Sequence, residues 1–261
     1  MDKVILGNTG IEVSRLGLGT VKFGRNEGVK YPQGFALPSD EDCANLLSLA
    51  KDLGINMLDT APAYGSSEER LGELLKGQRE DWVIVGKVGE EFEGGHSTYH
   101  FTPQHFCMSL ERSLKRLNTD YIDILLIHSD GRDMDILSND ALIEEMLRFK
   151  EHGLVRAVGA STKTAEGGIK ALELMDVVMA TYTADYTDEK PALDYAAAHN
   201  KGVLLKKVLS SGHNADIEDA FKFALSHPCR PCAIAGTINP LHLRENIESA
   251  NKVQGAGSHG F

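Results

Sequence analysis

Glu41-Asp42-Cys43-Ala44-Asn45-Leu46-Leu47-Ser48-Leu49-Ala50-Lys51-Asp52-Leu53-Gly54-Ile55-Asn56-Met57-Leu58-Asp59 carries one full period of the pattern that decides the fold. Leu46, Leu49, Ala50 and Leu53 recur at the three- and four-residue spacing of one helix face. Gly54 supplies the stop. Asn56–Asp59 then reads as a short strand, apolar at its centre and ending in a carboxylate.

The same alternation runs outward in both directions. Short apolar runs recur at Leu16–Gly19, Val83–Val88, Ile122–Ile127, Ala157–Gly159, Val177–Thr181, Val203–Leu205 and Ala233–Ala235, which with Asn56–Asp59 makes eight. Such runs, with little polar alternation, suit strands buried on both faces of a parallel sheet. Between them lie helical segments at Glu41–Leu53, Glu68–Leu75, Gln104–Leu117, Asn139–Glu151, Ala165–Met175, Lys190–His199, Ile217–Leu225 and Leu241–Ala250, with Thr102-Pro103 as cap and first residue of the third. Strands alternating with helices predict an α/β fold built from parallel βα units. In 261 residues, eight such units make closure into a (β/α)8 TIM barrel the economical solution, with an open doubly wound sheet as the competitor. Ahead of the first strand, Val4-Ile5-Leu6 and Ile11-Glu12-Val13 flank Gly7-Asn8-Thr9-Gly10, a short N-terminal β-hairpin. The expectation is one domain over 1–261, with 1–14 a hairpin lid and 251–261 a frayed tail.

The formal net charge of −11 argues against a nucleic-acid or anionic-membrane partner. No apolar run reaches the roughly 18 residues that a membrane span needs. The N-terminus lacks the h-region of a signal peptide, and four cysteines make no disulfide framework. The expected location is the cytoplasm, as a monomer or weak oligomer.

A barrel keeps its chemistry at the C-terminal ends of its strands. Asp59 ends the second, Lys87 lies at the end of the third, His128 follows the fourth, and Tyr64 lies in the loop five residues beyond Asp59. Taken singly, each has an ordinary reading: a helix cap, a solvated lysine, a loop histidine, a packing tyrosine. Their convergence on one rim makes them a candidate catalytic set.

These residues carry a resemblance. Gly54-Ile55-Asn56-Met57-Leu58-Asp59-Thr60-Ala61-Pro62-Ala63-Tyr64-Gly65, followed by Ser67-Glu68-Glu69-Arg70-Leu71-Gly72, resembles the signature of the aldo-keto reductases. The opening Leu6-Gly7-Asn8-Thr9-Gly10 and Leu16-Gly17-Leu18-Gly19-Thr20 is similar to that family's hairpin and first strand, and Gly236-Thr237 through Leu243-Arg244-Glu245-Asn246 to its last strand and cofactor loop. The resemblance implies reduction of an aldehyde or ketone to an alcohol, with Tyr64 as general acid. A free phenol, with a pKa near ~10, is a poor donor at neutrality; an adjacent ammonium favours the phenolate, and Lys87 would supply it. Asp59 would orient Lys87, and His128 would place the substrate oxygen.

The implied cofactor is NADP, with NAD the alternative. A Rossmann site is disfavoured, because Gly17-Leu18-Gly19 lacks a third glycine at the required spacing. The resemblance instead puts Thr20 and Val21 by the nicotinamide, and Ser161 and Thr162 by its carboxamide. It puts Lys206 where an aromatic commonly stacks, and Leu209 to Gly212 with Gly236, Thr237, His242, Arg244 and Asn246 around phosphates and adenosine. Gly236 and His242 stand where a Lys and an Arg often grip the 2′-phosphate, and Arg244 is the nearby substitute. The segment Arg25–Pro38 reads as part of a substrate wall.

Three other readings compete. Cys229-Arg230-Pro231-Cys232 is a C-x₂-C pair without the second pair a metal site needs, so no metal is expected. One of Lys206 and Lys207 should enter the barrel, where a lysine-dependent Schiff-base aldolase or lyase is conceivable. A non-catalytic nicotinamide-binding regulatory protein is the third. His96, His100 and His105 read as part of a glycine-rich loop.

Overall fold

A computed structural model describes residues 1–29, 34–210 and 216–255 of the chain. Strands β1 (Lys3–Ile5) and β2 (Glu12–Ser14) form the N-terminal hairpin, and β3 (Leu16–Gly19) opens the barrel. After it come α1 (Val21–Gly24), α2 (Asp40–Asp52), β4 (Met57–Asp59), α3 (Ser67–Leu74) and β5 (Val83–Val88). A second hairpin, β6 (Glu90–Glu93) and β7 (His96–Tyr99), precedes α4 (Pro103–Arg116), β8 (Ile122–His128), α5 (Asp133–Leu137) and α6 (Asp140–Glu151). The chain finishes through β9 (Val155–Ser161), α7 (Ala165–Leu174), β10 (Val177–Thr181), α8 (Lys190–His199), β11 (Gly202–Lys206), α9 (Ile217–Leu225), β12 (Cys232–Gly236) and α10 (Pro240–Gly255).

The strands β3, β4, β5, β8, β9, β10, β11 and β12 pair in parallel in that order, and β12 pairs back to β3. The closed (β/α)8 barrel is therefore the arrangement adopted. Closure leaves no unpaired edge. Alternate residues along each strand serve two cores. Ile124 and Leu126 of β8 point into the barrel with Met57, Val85, Met179, Leu204 and Ile234. Leu125 and Ile127 point out against the helices. On β3 the interior position is Gly17, where a Cβ would stand 2.8 Å from both Ile234 Cδ1 and Met57 Cε. These two long side chains from neighbouring strands fill the space a larger residue would need.

Helix starts are set by side-chain caps. Ser39 accepts a hydrogen bond from the Asp42 N–H, and Asp42 answers through the Ser39 N–H. Thr102 accepts from the His105 N–H ahead of Pro103, as the sequence predicts.

Three expectations need correction. The hairpin 1–14 is not a lid over the strand C-termini. Val4, Leu6, Ile11 and Val13 join the barrel-interior core, and Gly7 packs so closely on Gly202, at the start of β11, that a Cβ there would lie 2.4 Å from the Gly202 nitrogen. The hairpin plugs the floor, and Asn56 ties it to β4 by accepting from the Ser14 N–H at 2.7 Å. The tail does not begin at 251, because α10 continues to Gly255. The segment around His96 is a hairpin rather than a loop: Gly94 and Gly95, with φ of +57° and +83°, form the two-residue turn between Glu93 and His96. Among the described residues no helix is long and apolar enough to cross a membrane.

Candidate active site

The strand C-termini open into a cavity of about 630 Å³, at the end opposite the hairpin plug. Asp59 from β4, Lys87 from β5, His128 from β8 and Tyr64 from the β4–α3 loop all reach its wall, as do Ser161 and Lys206. The four candidate catalytic side chains thus come from successive units and meet at one place.

Backbone contacts hold Tyr64 there. Its loop crosses the short helix α1 at two glycines. A Cβ on Gly24 would lie 2.3 Å from the Tyr64 carbonyl oxygen, and one on Gly65, whose φ is +60°, would lie 2.0 Å from the Gly24 oxygen. Only glycine permits this approach. Thr20 fastens the strand end beneath: its hydroxyl donates to the Asp59 carbonyl at 2.8 Å and meets Ser67 Oγ at 2.7 Å. The Thr20 side chain is fully buried, between Gly19 and Val21 of the cavity wall.

Lys87 donates its ammonium protons to the Asp59 carboxylate and, at 3.0 Å, to the Thr60 carbonyl. The same ammonium lies 4.7 Å from the centroid of the Tyr64 ring. The Tyr64 hydroxyl donates to the other Asp59 oxygen at 3.4 Å. A phenol, an ammonium and a carboxylate therefore form one shielded cluster, with the Tyr64 hydroxyl on its cavity side. The His128 ring stands edge-on to Tyr64, 6.5 Å between centroids.

Behind His128 lies a residue the sequence reading missed. Glu90 Oε2 is 2.8 Å from His128 Nδ1, and its Oε1 accepts from Ser97 Oγ at 2.6 Å. Burial pushes the Glu90 carboxyl up, but contacts with His128, Ser97 and Arg25 outweigh it and bring the group to about 2. Burial lowers the affinity of His128 for a proton, and Glu90 opposes that effect. The signal was present in the sequence. Gly94-Gly95 between Phe92 and Tyr99 is a two-residue hairpin turn signal, and the stretch starts at Glu90, three residues beyond Lys87.

Across the cavity, Lys206 donates to Ser161 Oγ at 3.0 Å and to the Thr162 carbonyl at 2.5 Å. Burial pulls its ammonium down to about 8. Thr162 is fully buried and turns its hydroxyl to Glu189, a second buried carboxylate that the sequence reading missed. Val21, Leu209, Gly236, Thr237, His242 and Asn246 lie on the wall. Arg244 is exposed and does not line the cavity. Gly212 lies outside the described residues. Of the segment 25–38, the described part places the Arg25 guanidinium 3.4 Å from the Phe92 ring centroid, beside the site. Cys229 and Cys232 are free thiols pushed up to about 12 by burial. Among the described residues no group of three or more His, Cys, Asp or Glu could hold a metal ion.

Comparison with known proteins agrees with this fold. Residues 15–216 match the model of the Aldo/keto reductase family. The chain is 50% identical to a Pseudomonas aeruginosa protein proposed to be an aldo-keto reductase, whose crystal structure superposes with a TM-score of 0.89 over 97% of this chain and 95% of that one. It is 25% identical to the uncharacterized oxidoreductase YqkF of Bacillus subtilis, over 96% of this chain and 92% of that protein. It is 31% identical to the NADH-specific methylglyoxal reductase of Escherichia coli, over 70% of this chain and 59% of that protein. The chain belongs to the aldo/keto reductase family of oxidoreductases.

Proposed function

We propose that this protein reduces an aldehyde or ketone to an alcohol with a reduced nicotinamide dinucleotide, Tyr64 serving as the general acid. The observation that carries the reading is the Tyr64–Lys87–Asp59 cluster at the cavity wall. A bound carbonyl oxygen needs a donor as charge builds on it, and the Tyr64 hydroxyl is that donor. The Lys87 ammonium stabilises the phenolate left behind. Asp59 holds that ammonium in place by accepting its hydrogen bond. The surrounding apolar wall, with Met179 and Ile234, excludes water and strengthens these charges.

The residues present fit the cofactor. Asn246 Oδ1 is buried at the wall without a hydrogen-bond partner, an acceptor suited to a donor such as an adenine amine. Thr237 Oγ1 and Asn239 Oδ1 accept N–H bonds at the start of α10, and a helix N-terminus suits an anion. Ser161, held by Lys206, would bind the carboxamide. When bound, the nicotinamide supplies the hydride. NADPH is the cofactor expected from the family. NADH is the second reading, favoured by the Glu245 carboxylate that shares the wall with His242 and by the NADH-specific relative. A Schiff-base role for Lys206 would leave Tyr64, Lys87 and Asp59 without work.

The test is a panel of aldehydes, ketones and sugars assayed with NADH and NADPH in parallel. Tyr64→Phe is expected to keep dinucleotide binding and to lose about a thousandfold in turnover. Unchanged turnover sinks the assignment of Tyr64. Dinucleotide binding with no turnover of any carbonyl by the wild type favours the regulatory reading instead.

A further inference from the structure

Two lysines face each other across the cavity, and they differ in how their charge is met. The order of the closed barrel places β11 opposite β5, so Lys206 stands across from Lys87. The Asp59 carboxylate offsets the charge of Lys87. Lys206 donates to Ser161 Oγ and to the Thr162 carbonyl, and among the described residues no carboxylate pairs with it. We infer that the Lys206 ammonium selects the redox state of the dinucleotide: it favours the reduced form, whose nicotinamide ring is neutral, over the oxidised form, whose ring is a cation. The inference rests on the nicotinamide reading of this cavity.

The strand order divides the cavity in two. Tyr64, Lys87 and His128 come from the loop after β4, from β5 and from β8; Met179, Lys206 and Ile234 come from β10, β11 and β12. A carbonyl oxygen resting on the Tyr64 hydroxyl turns its carbon toward the second half, so a ring that gives hydride to that carbon belongs there. Ser161 on β9 stands between the halves, and its hydroxyl is one of the two groups that fix the ammonium against the wall.

Met179 and Ile234 flank Lys206 with apolar side chains, and in such surroundings charges are weakly screened. The field of Lys206 reaches His128 on the opposite side, where it disfavours the imidazolium. A pyridinium between the two would meet the same repulsion at shorter range. The carboxylates behind Lys206 are turned elsewhere. Glu189, at the start of α8, accepts from the Thr181 N–H at 3.0 Å and from the Thr162 hydroxyl at 3.4 Å. Asp133 of α5 accepts from the Lys163 and Thr164 N–H groups. Lys163 and Lys207 raise the positive potential at Lys206 further. Phosphates and adenosine are common to both redox forms, so the preference is set at the ring.

Calorimetric titration with oxidised and reduced NAD and NADP, without a carbonyl substrate, tests this directly. At pH 7 the wild type is expected to bind the reduced form more tightly. Lys206→Met is expected to shrink that preference about tenfold, or ~1.4 kcal/mol, as the oxidised form gains on the reduced one. The wild-type preference is expected to fade as the pH rises past about 8, where Lys206 sheds its proton. Lys206→Arg stays charged throughout and should hold its preference across that range. Equal preferences in wild type and Lys206→Met overturn the inference. So does a wild-type preference that is the same at pH 7 and pH 9, a result that needs no variant to fold. If both forms bind with the preference unmoved, this inference alone falls and the carbonyl-reductase reading stands. If neither form binds, the nicotinamide reading falls and takes the inference with it.

Discussion

Lys87 and Asp59 form an ion pair that the barrel shields almost completely, their side chains 1% and 6% exposed. Breaking a buried pair from one side strands a charge and costs about 3–5 kcal/mol. Lys87→Met is therefore expected to lose stability on that scale in urea unfolding. The double variant Asp59→Asn with Lys87→Met removes both charges and recovers most of it. Neither variant recovers turnover, because the phenolate of Tyr64 has lost its ammonium. A double variant as unstable as the single one would show that packing, not charge, is what the pair supplies.

Gly24 links the fold to the chemistry. A Cβ there would meet the Ser67 nitrogen at 2.2 Å as well as the Tyr64 carbonyl, and both are backbone atoms that cannot swing aside. Gly24→Ala is expected to push the β4–α3 loop outward. Turnover falls at least tenfold, since an ångström of misplacement is costly, while the dinucleotide still binds. Gly34→Ala, where a Cβ meets nothing within 4 Å among the described residues, is the control and should change neither.

The barrel was legible because its strands are buried on both faces and its helices are amphipathic, so periodicity alone separates them. The convergence of the four candidate side chains on one rim was legible for a related reason: strand ends are countable. What escaped was set by long-range geometry. Thr20 looks like a rim residue, yet its hydroxyl turns to the Asp59 carbonyl and Ser67. Arg244 follows Leu243, and the inward face of α10 runs through Leu243, Asn246, Ile247 and Ala250; helical spacing alone would have turned Arg244 to solvent. Strand alternation predicts that only one of Lys206 and Lys207 enters the barrel, yet both line the cavity. Lys207 has left the strand, with φ of +59°, and a left-handed residue breaks the alternation.

Lys206 is expected to make dinucleotide binding depend on pH. Its ammonium, brought to about 8 by burial, is charged below that value and neutral above it. A dianionic dinucleotide favours the charged form. Affinity is therefore expected to fall by up to about tenfold as the pH rises from 7 past 8, since a lost charge-assisted contact is worth ~1.4 kcal/mol or more. Lys206→Met should bind more weakly at pH 7 and show a flat profile. Titration calorimetry across this range checks both. A steep profile in the variant would move the effect to another group, such as Lys207 or His242.

The choice of dinucleotide is expected to turn on α10. His242 and Glu245 lie three residues apart on one helix face and both reach the cavity wall, so a 2′-phosphate placed there would meet a carboxylate without a guanidinium to offset it. Replacing His242 with a fixed charge tests this balance. His242→Arg is expected to tighten NADPH about tenfold, the worth of one charge-assisted hydrogen bond near 1.4 kcal/mol, and to leave NADH within about twofold. Glu245→Gln removes repulsion and should shift the ratio in the same direction by less. Because an added cation grips phosphate through charge, the gain for NADPH shrinks as salt rises. Equal tightening of both dinucleotides would mean that His242 faces the shared diphosphate rather than the ribose.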